Sequence, residues 1–210
     1  MTDATGAQTG VDGRALSARG TATRRRLLES AEQIFAALGY HEASIVKITE
    51  AAGVGQGTFY LYFGSKKQVF DEVVLDLNTR VRHAMSEASA AGGTRAEREL
   101  LGFGAFFRFT ADHPALYRII RQAEFVSPEM LQIHYERLTG GYVTGLQQAM
   151  DAGEVEQGDP EVLAWSLMGI GELVGMRWVL WDGKAEMPER VFDELARILI
   201  RALGAKDVEQ

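Results

Sequence analysis

From Thr23 to Leu203 the chain is cut into segments by helix start and stop signals, and none of those segments alternates like a strand. Thr23 can cap a first helix in which Leu27, Leu28, Ala31, Ile34, Phe35 and Leu38 recur at helical spacing, and Gly39 stops it. Ser44 caps a short second helix through Ala52, with Ile45, Ile48, Ala51 and Ala52 as its buried side. Gly53 ends that helix where a turn needs positive φ, and residues 56–62 form a third short helix. Ser65 caps a long fourth helix to about Ala90. Thr94 with Glu97 makes a capping box for a helix to about Ala111, and Pro114 opens a shorter one to about Glu124. Ser127 with Pro128, and Asp159 with Pro160, open helices to about Ala152 and Trp181, and Pro188 opens the last, to about Leu203. The fold expected is all-α with about nine helices. An N-terminal three-helix domain over residues 21–67 is followed by a C-terminal helical domain over residues 68–210, in which 68–90 is a connecting helix. Residues 1–20, rich in Gly, Ala and Thr and without the pattern of a signal peptide, read as a disordered arm.

Composition narrows the function classes. With no cysteine among 210 residues, the chain has no disulfide, thiolate metal site or cysteine nucleophile, which suits a reducing, cytoplasmic setting. The longest apolar stretch, Val162 to Trp181, carries Glu172, Arg177 and three glycines, so it reads as a buried helix and no membrane partner is expected. The four histidines, His41, His83, His113 and His134, have no zinc spacing, and no nucleophile elbow or phosphate loop follows a strand. GVGQG has the glycines of a phosphate loop but follows a helix and lacks the lysine. Neither an enzyme, a metal nor a cofactor is expected. A net charge of −7 argues against nucleic acid, but its distribution does not. Between Gly13 and Lys67, Arg14, Arg19, Arg24, Arg25, Arg26, Lys47, Lys66 and Lys67 outnumber Glu29, Glu32, Glu42 and Glu50, leaving the remainder strongly acidic.

The informative segment is residues 44–67. Two short helices about a glycine turn, with alanines where they cross, allow the close approach of a helix-turn-helix. On the second of them Gln56 can hydrogen-bond a base edge, Thr58 can do so or touch a thymine methyl, and Tyr60 and Tyr62 can reach phosphates. Phe59 and Phe63 point inward as anchors. Ser44 with Lys47, and Ser65 with Lys66 and Lys67, stand at helix starts that attract anions. An ordinary helical corner with an aromatic core is the competing reading of the same residues. The stretch TRRRLLESAEQIFAALGYHEASIVKITEAAGVGQGTFYLYFGSKKQVF, Thr23 to Phe70, resembles the N-terminal domain of the TetR family of transcriptional regulators. The resemblance rests on the IFAALGY ending of the first helix, the AAGV turn, the GTFYLYF helix and the GSK after it. It implies a three-helix DNA-binding domain, a connecting helix, and an all-helical C-terminal domain for dimerisation and ligand binding. By position it puts the contacts to double-stranded operator DNA on Ser44, Lys47, Gln56, Gly57, Thr58, Tyr60, Tyr62 and Lys66. Gly55 and Gln56 stand where the family commonly has serine and lysine, and Leu61 and Tyr62 where tryptophan or histidine is more usual, so the operator sequence does not carry over. Arg14, Arg19 and Arg24 to Arg26 suit either a basic arm on the backbone or minor groove, or a solvated helix start.

The C-terminal portion is read from physics. Ala164, Met168, Gly171 and Gly175 form a stripe on one helix, and glycine there costs roughly 1 kcal/mol relative to alanine, so something packs close. A partner helix across a two-fold axis is the expected neighbour, with Ala164, Gly171, Gly175, Leu195, Ile198 and Leu199 forming a homodimer interface; an intramolecular neighbour is the alternative. Phe103, Phe106, Phe107, Trp165, Met168 and Met176, with Arg121, His134 and Glu172 as polar members, are the candidate lining for a small hydrophobic, acyl-type effector. The same aromatics and methionines would serve equally as core. The function expected is a transcriptional repressor released by its effector. A ligand-dependent activator or co-repressor-type regulator of the same fold is the nearer alternative, and a helical protein-interaction scaffold the more distant one.

Overall fold

The computed structural model describes residues 9–183 and 186–205. Among them are nine α-helices: α1 Ala18–Glu42, α2 Ile45–Ala51, α3 Gln56–Tyr60, α4 Lys66–Ser89, α5 Arg95–Asp112, α6 Ala115–Val126, α7 Pro128–Asp151, α8 Pro160–Gly175 and α9 Glu189–Leu203. A single π turn, Met176–Leu180, continues α8. The local signals act as expected at most ends. The Thr94 hydroxyl accepts from Glu97 N while the Glu97 carboxylate accepts from Thr94 N, and those backbone bonds hold the carboxyl below its ordinary range. Asp159 accepts from Glu161 N and Val162 N ahead of Pro160. Gly39, at φ +78°, breaks α1 one turn before its end.

The chain start differs from the expectation. Helix α1 begins at Ala18, capped by the Ser17 hydroxyl on Gly20 N at 3.2 Å, rather than at Thr23. Residues 9–17 are not a structureless arm: Thr9 bridges to Ala15 and Val11 N donates to Leu61 O at 3.0 Å. The part of the expected arm before Thr9 lies outside the described residues.

By packing, the chain divides into two compact units, Met1–Leu77 with Arg118–Leu131, and Asn78–Tyr117 with Gln132–Gln210. The division falls inside α4, later than the expected one after Lys67, and the first unit also takes most of α6 and the start of α7. In the first unit Leu27, Ala31 and Phe35 of α1 are fully buried, as are Ile48, Phe59, Phe63, Phe70 and Ile119. The Phe35, Tyr40 and Phe70 rings lie within 5.2–5.8 Å of one another. The amide of Gln122 on α6 closes α1 by accepting from Tyr40 N at 2.5 Å.

In the second unit Phe103 and Phe107 of α5, Leu146 and Met150 of α7, Ala164 and Leu167 of α8, and Leu195, Leu199 and Leu203 of α9 form one core. The glycine stripe packs inside this core. A Cβ on Gly171 would sit 2.5 Å from Phe103 Cε1, and one on Gly175 2.7 Å from the Tyr117 hydroxyl and 3.2 Å from Phe107 Cε1. The expected interface residues Ala164, Gly171, Gly175, Leu195 and Leu199 are therefore covered by their own chain, and of that set Ile198 stays exposed. The physical reason is that α5 supplies ring edges that need the space a methyl would take. Helix α8 is also not buried all round. Pro160–Leu180 is long and apolar enough, by length and composition alone, to cross a bilayer, yet one of its sides is core and the other leaves Val162 and Leu173 each 62% exposed.

Candidate nucleic-acid interface

The first unit builds a helix-turn-helix from short-range rules. The Ser44 hydroxyl accepts from Lys47 N and starts α2, and the buried Thr49 hydroxyl bonds back to Ile45 O and Val46 O at 2.9 Å. The turn then passes through Gly53 at φ +66°. Helix α3 has Gly55 as its N-cap with no side-chain bond, as the missing serine implies. Phe59 and Phe63 are fully buried, and their rings, 5.5 Å apart, fix which way α3 faces. The opposite side presents Gln56 and Gly57 to solvent and leaves Tyr60 51% exposed, with Thr58 and Tyr62 half-buried beside them. Five of the expected contact residues thus lie on one short helix and its C-terminal edge, while Ser44 and Lys47 share the start of α2.

Two cations expected to face DNA, Lys66 and Lys67, and one arginine of the N-terminal basic stretch, Arg24, are committed within the unit. Lys66 Nζ donates to Tyr40 O and Ala43 O, each at 2.8 Å, and lies 4.3 Å from the Tyr40 ring centre, so it closes the end of α1 instead of clamping phosphate. Lys67 Nζ is held by Glu129 at 2.7 Å, Ser127 at 2.8 Å and Asp71 at 2.9 Å. The Lys67 bond holds the Glu129 carboxyl down at about 2, and Glu129 in turn raises the ammonium. Arg24 is 4% exposed, paired with Glu72 and stacked 4.8 Å from the Phe63 ring centre. The accessible positive charge is correspondingly smaller than the composition implies. Between Gly13 and Lys67 it consists of Lys47, whose Nζ also donates to Glu42 O, and of Arg14, Arg19, Arg25 and Arg26. Arg25 pairs with Glu29, and an open depression of about 560 Å³ on α1 is lined by Arg19, Ala22, Thr23, Arg25, Arg26 and Glu29. Sequence reasoning did not reach these commitments because the deciding partners of Lys66, Lys67 and Arg24 lie far along the chain or are backbone carbonyls.

Residues 27–73, which include all of α2 and α3, match the profile of the bacterial regulatory proteins of the tetR family. This stretch is a TetR-family DNA-binding domain. Its relatives are transcriptional regulators. An uncharacterized helix-turn-helix-type regulator, YdgC of Bacillus subtilis, is 33% identical over 56% of this chain, and the match spans 61% of YdgC's own length. The fatty acid metabolism regulator protein of Bacillus subtilis is 25% identical over 77% of this chain and 86% of its own. The crystal structure of the regulator FadR from Bacillus subtilis in complex with stearoyl-CoA shares the fold, with a TM-score of 0.75 over 85% of this chain and 98% of that one, at 21% identity. In this TetR-family domain, then, the exposed face of α3 belongs to a helix-turn-helix, and its departures from the family pattern, Gly55 and Gln56, fall at the first turn of that helix.

The expected effector residues are only partly brought together. Phe103 and Phe107 fill the notches at Gly171 and Gly175, so they act as core rather than as a lining. Arg121 belongs to the first unit and the other candidates to the second, because α6 crosses the boundary between Tyr117 and Arg118. A polar cluster remains in the second unit. The Tyr135 hydroxyl meets both Glu172 carboxylate oxygens at 3.0 Å, with the Trp165 ring 5.9 Å from Tyr135, and the Tyr117 hydroxyl donates to Glu172 O. Burial, then the charge of Glu172, holds the Tyr117 hydroxyl well above its usual range. His134 is buried, and burial lowers its pKa to about 4, so the ring is neutral and accepts at Nδ1 from Asn78 Nδ2 at 3.1 Å. Asn78 Nδ2 also donates to His134 O, which leaves the fully buried Asn78 Oδ1 without a hydrogen bond among the described residues. Phe106 packs half-buried against the core, and Met168 and Met176, on α8 and its continuation, are half-buried as well. Asn78 was not among the expected residues; a lone asparagine in a long amphipathic helix gives no sequence signal.

Proposed function

We propose that this protein binds a palindromic operator as a homodimer and represses transcription until a hydrophobic, acyl-type effector enters its second unit. The observation that carries the DNA reading is the face of α3, where Gln56, Gly57 and Tyr60 are exposed opposite two fully buried phenylalanines. A base-reading helix requires that arrangement, with side chains free on one side and rigidly seated on the other. In this reading Gln56 and Thr58 address base edges, Tyr60 and Tyr62 reach phosphates, and Ser44, Lys47 and Gly57 approach the backbone. Val162, Trp165, Gly169 and Leu173, which form an exposed stripe on α8, and Ile198 on α9 support a dimer face built by a second copy. A two-fold dimer sets its reading helices about 34 Å apart, in successive major grooves. The buried, unpartnered Asn78 Oδ1 beside His134 supports an effector that brings a hydrogen-bond donor, and the half-buried Met168 and Met176 support its apolar part. The relatives named as fatty acid regulators favour an acyl chain. Helices α4, α6 and α7 each begin in one unit and end in the other, so a change around Asn78 has a covalent route to the first unit.

Duplexes selected from genomic fragments by the full-length protein, followed by titration of stearoyl-CoA into the complex, test this reading. The expected results are selective binding that weakens with salt, release by the acyl probe, and a dimer mass by light scattering. A chain that binds no duplex selectively at moderate salt is not an operator-binding protein, and a monomer would overturn the assignment of the α8 face.

A further inference from the structure

The segment ahead of α1 is built as a closed turn. Thr9 and Ala15 form an antiparallel bridge, Gly10 N donates to Arg14 O at 3.0 Å, and Gly13 N donates to Gly10 O at 3.0 Å with Gly13 itself at φ +76°. The Asp12 carboxylate accepts from Arg14 N at 3.1 Å and squares off the tip. Thr9 and Gly10 are buried, and a Cβ on Gly10 would lie 3.1 Å from Leu61 O, so the base of the turn is pressed against the backbone at that point. Val11 N donates to the same carbonyl at 3.0 Å. Leu61 is the residue that closes α3, and the last carbonyls of a helix have no partner within it. The turn supplies one. It is thereby attached to the end of the base-reading helix, and it carries Arg14, whose side chain is 89% exposed and has a loose 3.7 Å pairing with Asp12.

We propose that this turn is a second DNA-contacting element, which holds the Arg14 guanidinium on backbone phosphates flanking the groove that α3 enters. The inference rests on the DNA-binding reading of α3. A guanidinium meets a phosphate through two parallel hydrogen bonds, and exposed Asp12 at 3.7 Å offers a weak competitor for it. The turn's own backbone bonds fix where the Arg14 side chain begins, so only its rotamers remain to be ordered at binding. The contact is to phosphate rather than to bases, because Arg14 sits beside the end of α3 and not on its exposed face.

The test uses full-length protein, an operator duplex and an unrelated duplex, with binding followed by anisotropy between about 50 and 300 mM KCl. Arg14→Ala should weaken binding by a similar factor on both duplexes and lower the slope of log affinity against log salt by about 0.9 for each protomer bound. Val11→Pro keeps the charge and suits the second position of the Gly10–Gly13 turn, but it deletes the N–H that meets Leu61; it should lose the same slope. Gln56→Ala should instead narrow the difference between the two duplexes and leave the slope in place. If the native protein binds steeply and Arg14→Ala retains both affinity and slope, the proposal is overturned. If Arg14→Ala loses slope while Val11→Pro does not, the anchoring at Leu61 is overturned. A native protein that binds neither duplex removes the DNA-binding reading itself, and this inference with it.

Discussion

Adding one methyl group at Gly171 tests whether the α8 stripe faces its own core or a partner. The added Cβ would lie 2.5 Å from Phe103 Cε1 and 3.2 Å from Cδ1, and Phe103 is buried with the Phe107 ring beside it, so the ring has little room to withdraw. Overpacking of this kind costs about 1–3 kcal/mol, against about 1 kcal/mol returned by replacing a mid-helix glycine with alanine. Gly171→Ala should therefore be neutral to destabilising by about 2 kcal/mol. Gly169, on the exposed side of the same helix, has no atom within 4 Å of its added Cβ, and Gly169→Ala should gain about 1 kcal/mol of unfolding free energy. Phe103→Leu alone costs roughly 1–2 kcal/mol through the cavity it opens. Combined with Gly171→Ala it should cost less than the two separately, by about 1 kcal/mol of favourable coupling. Urea unfolding at fixed protein concentration reads this directly, because the three tryptophans lie on α8 (Trp165), on its continuation (Trp178) and immediately after it (Trp181). Additive effects of Gly171→Ala and Phe103→Leu, or a stabilised Gly171→Ala that has lost its dimer, would refute the internal packing and restore the stripe as an interface.

Three further outcomes follow from groups whose partners are resolved. Lys66→Ala removes two charged hydrogen bonds to Tyr40 O and Ala43 O, and should destabilise by about 2 kcal/mol while leaving the salt slope of DNA binding unchanged, as thermal melts and anisotropy would show. Arg24→Ala strands Glu72 and should cost about 3 kcal/mol, whereas Arg24→Met with Glu72→Gln should recover much of it in denaturant titrations; equal losses would show that the pair carries no such cost. His134, at about 4 when folded against about 6.5 when unfolded, takes up its proton in the unfolded chain first. Stability should thus fall as pH drops from about 6.5 towards 4, by up to about 3 kcal/mol, and His134→Gln should flatten that window.

Much of this molecule is legible without its tertiary structure, and the reason is the range over which the deciding forces act. Caps and breakers operate within four residues. Thr94 with Glu97, Asp159 with Pro160, and Gly39 and Gly53 at positive φ accordingly placed most helix ends close to where they lie. The helix-turn-helix is equally local: Phe59 and Phe63 face inward, and Gln56 and Tyr60 outward, through helical periodicity alone. The commitment of particular charges and notches is a different matter. Lys66 was indistinguishable from a phosphate clamp until Tyr40 and Ala43 came within 2.8 Å of it, and Gly171 from an interface glycine until Phe103 entered its notch. The turn carrying Arg14 was hidden in a composition typical of disorder, because what orders it is one carbonyl about fifty residues away in sequence, at Leu61. The residue types along each helix are set by short-range chemistry; which of them remain available to a ligand is decided only when distant segments compete for the same hydrogen bonds and the same space.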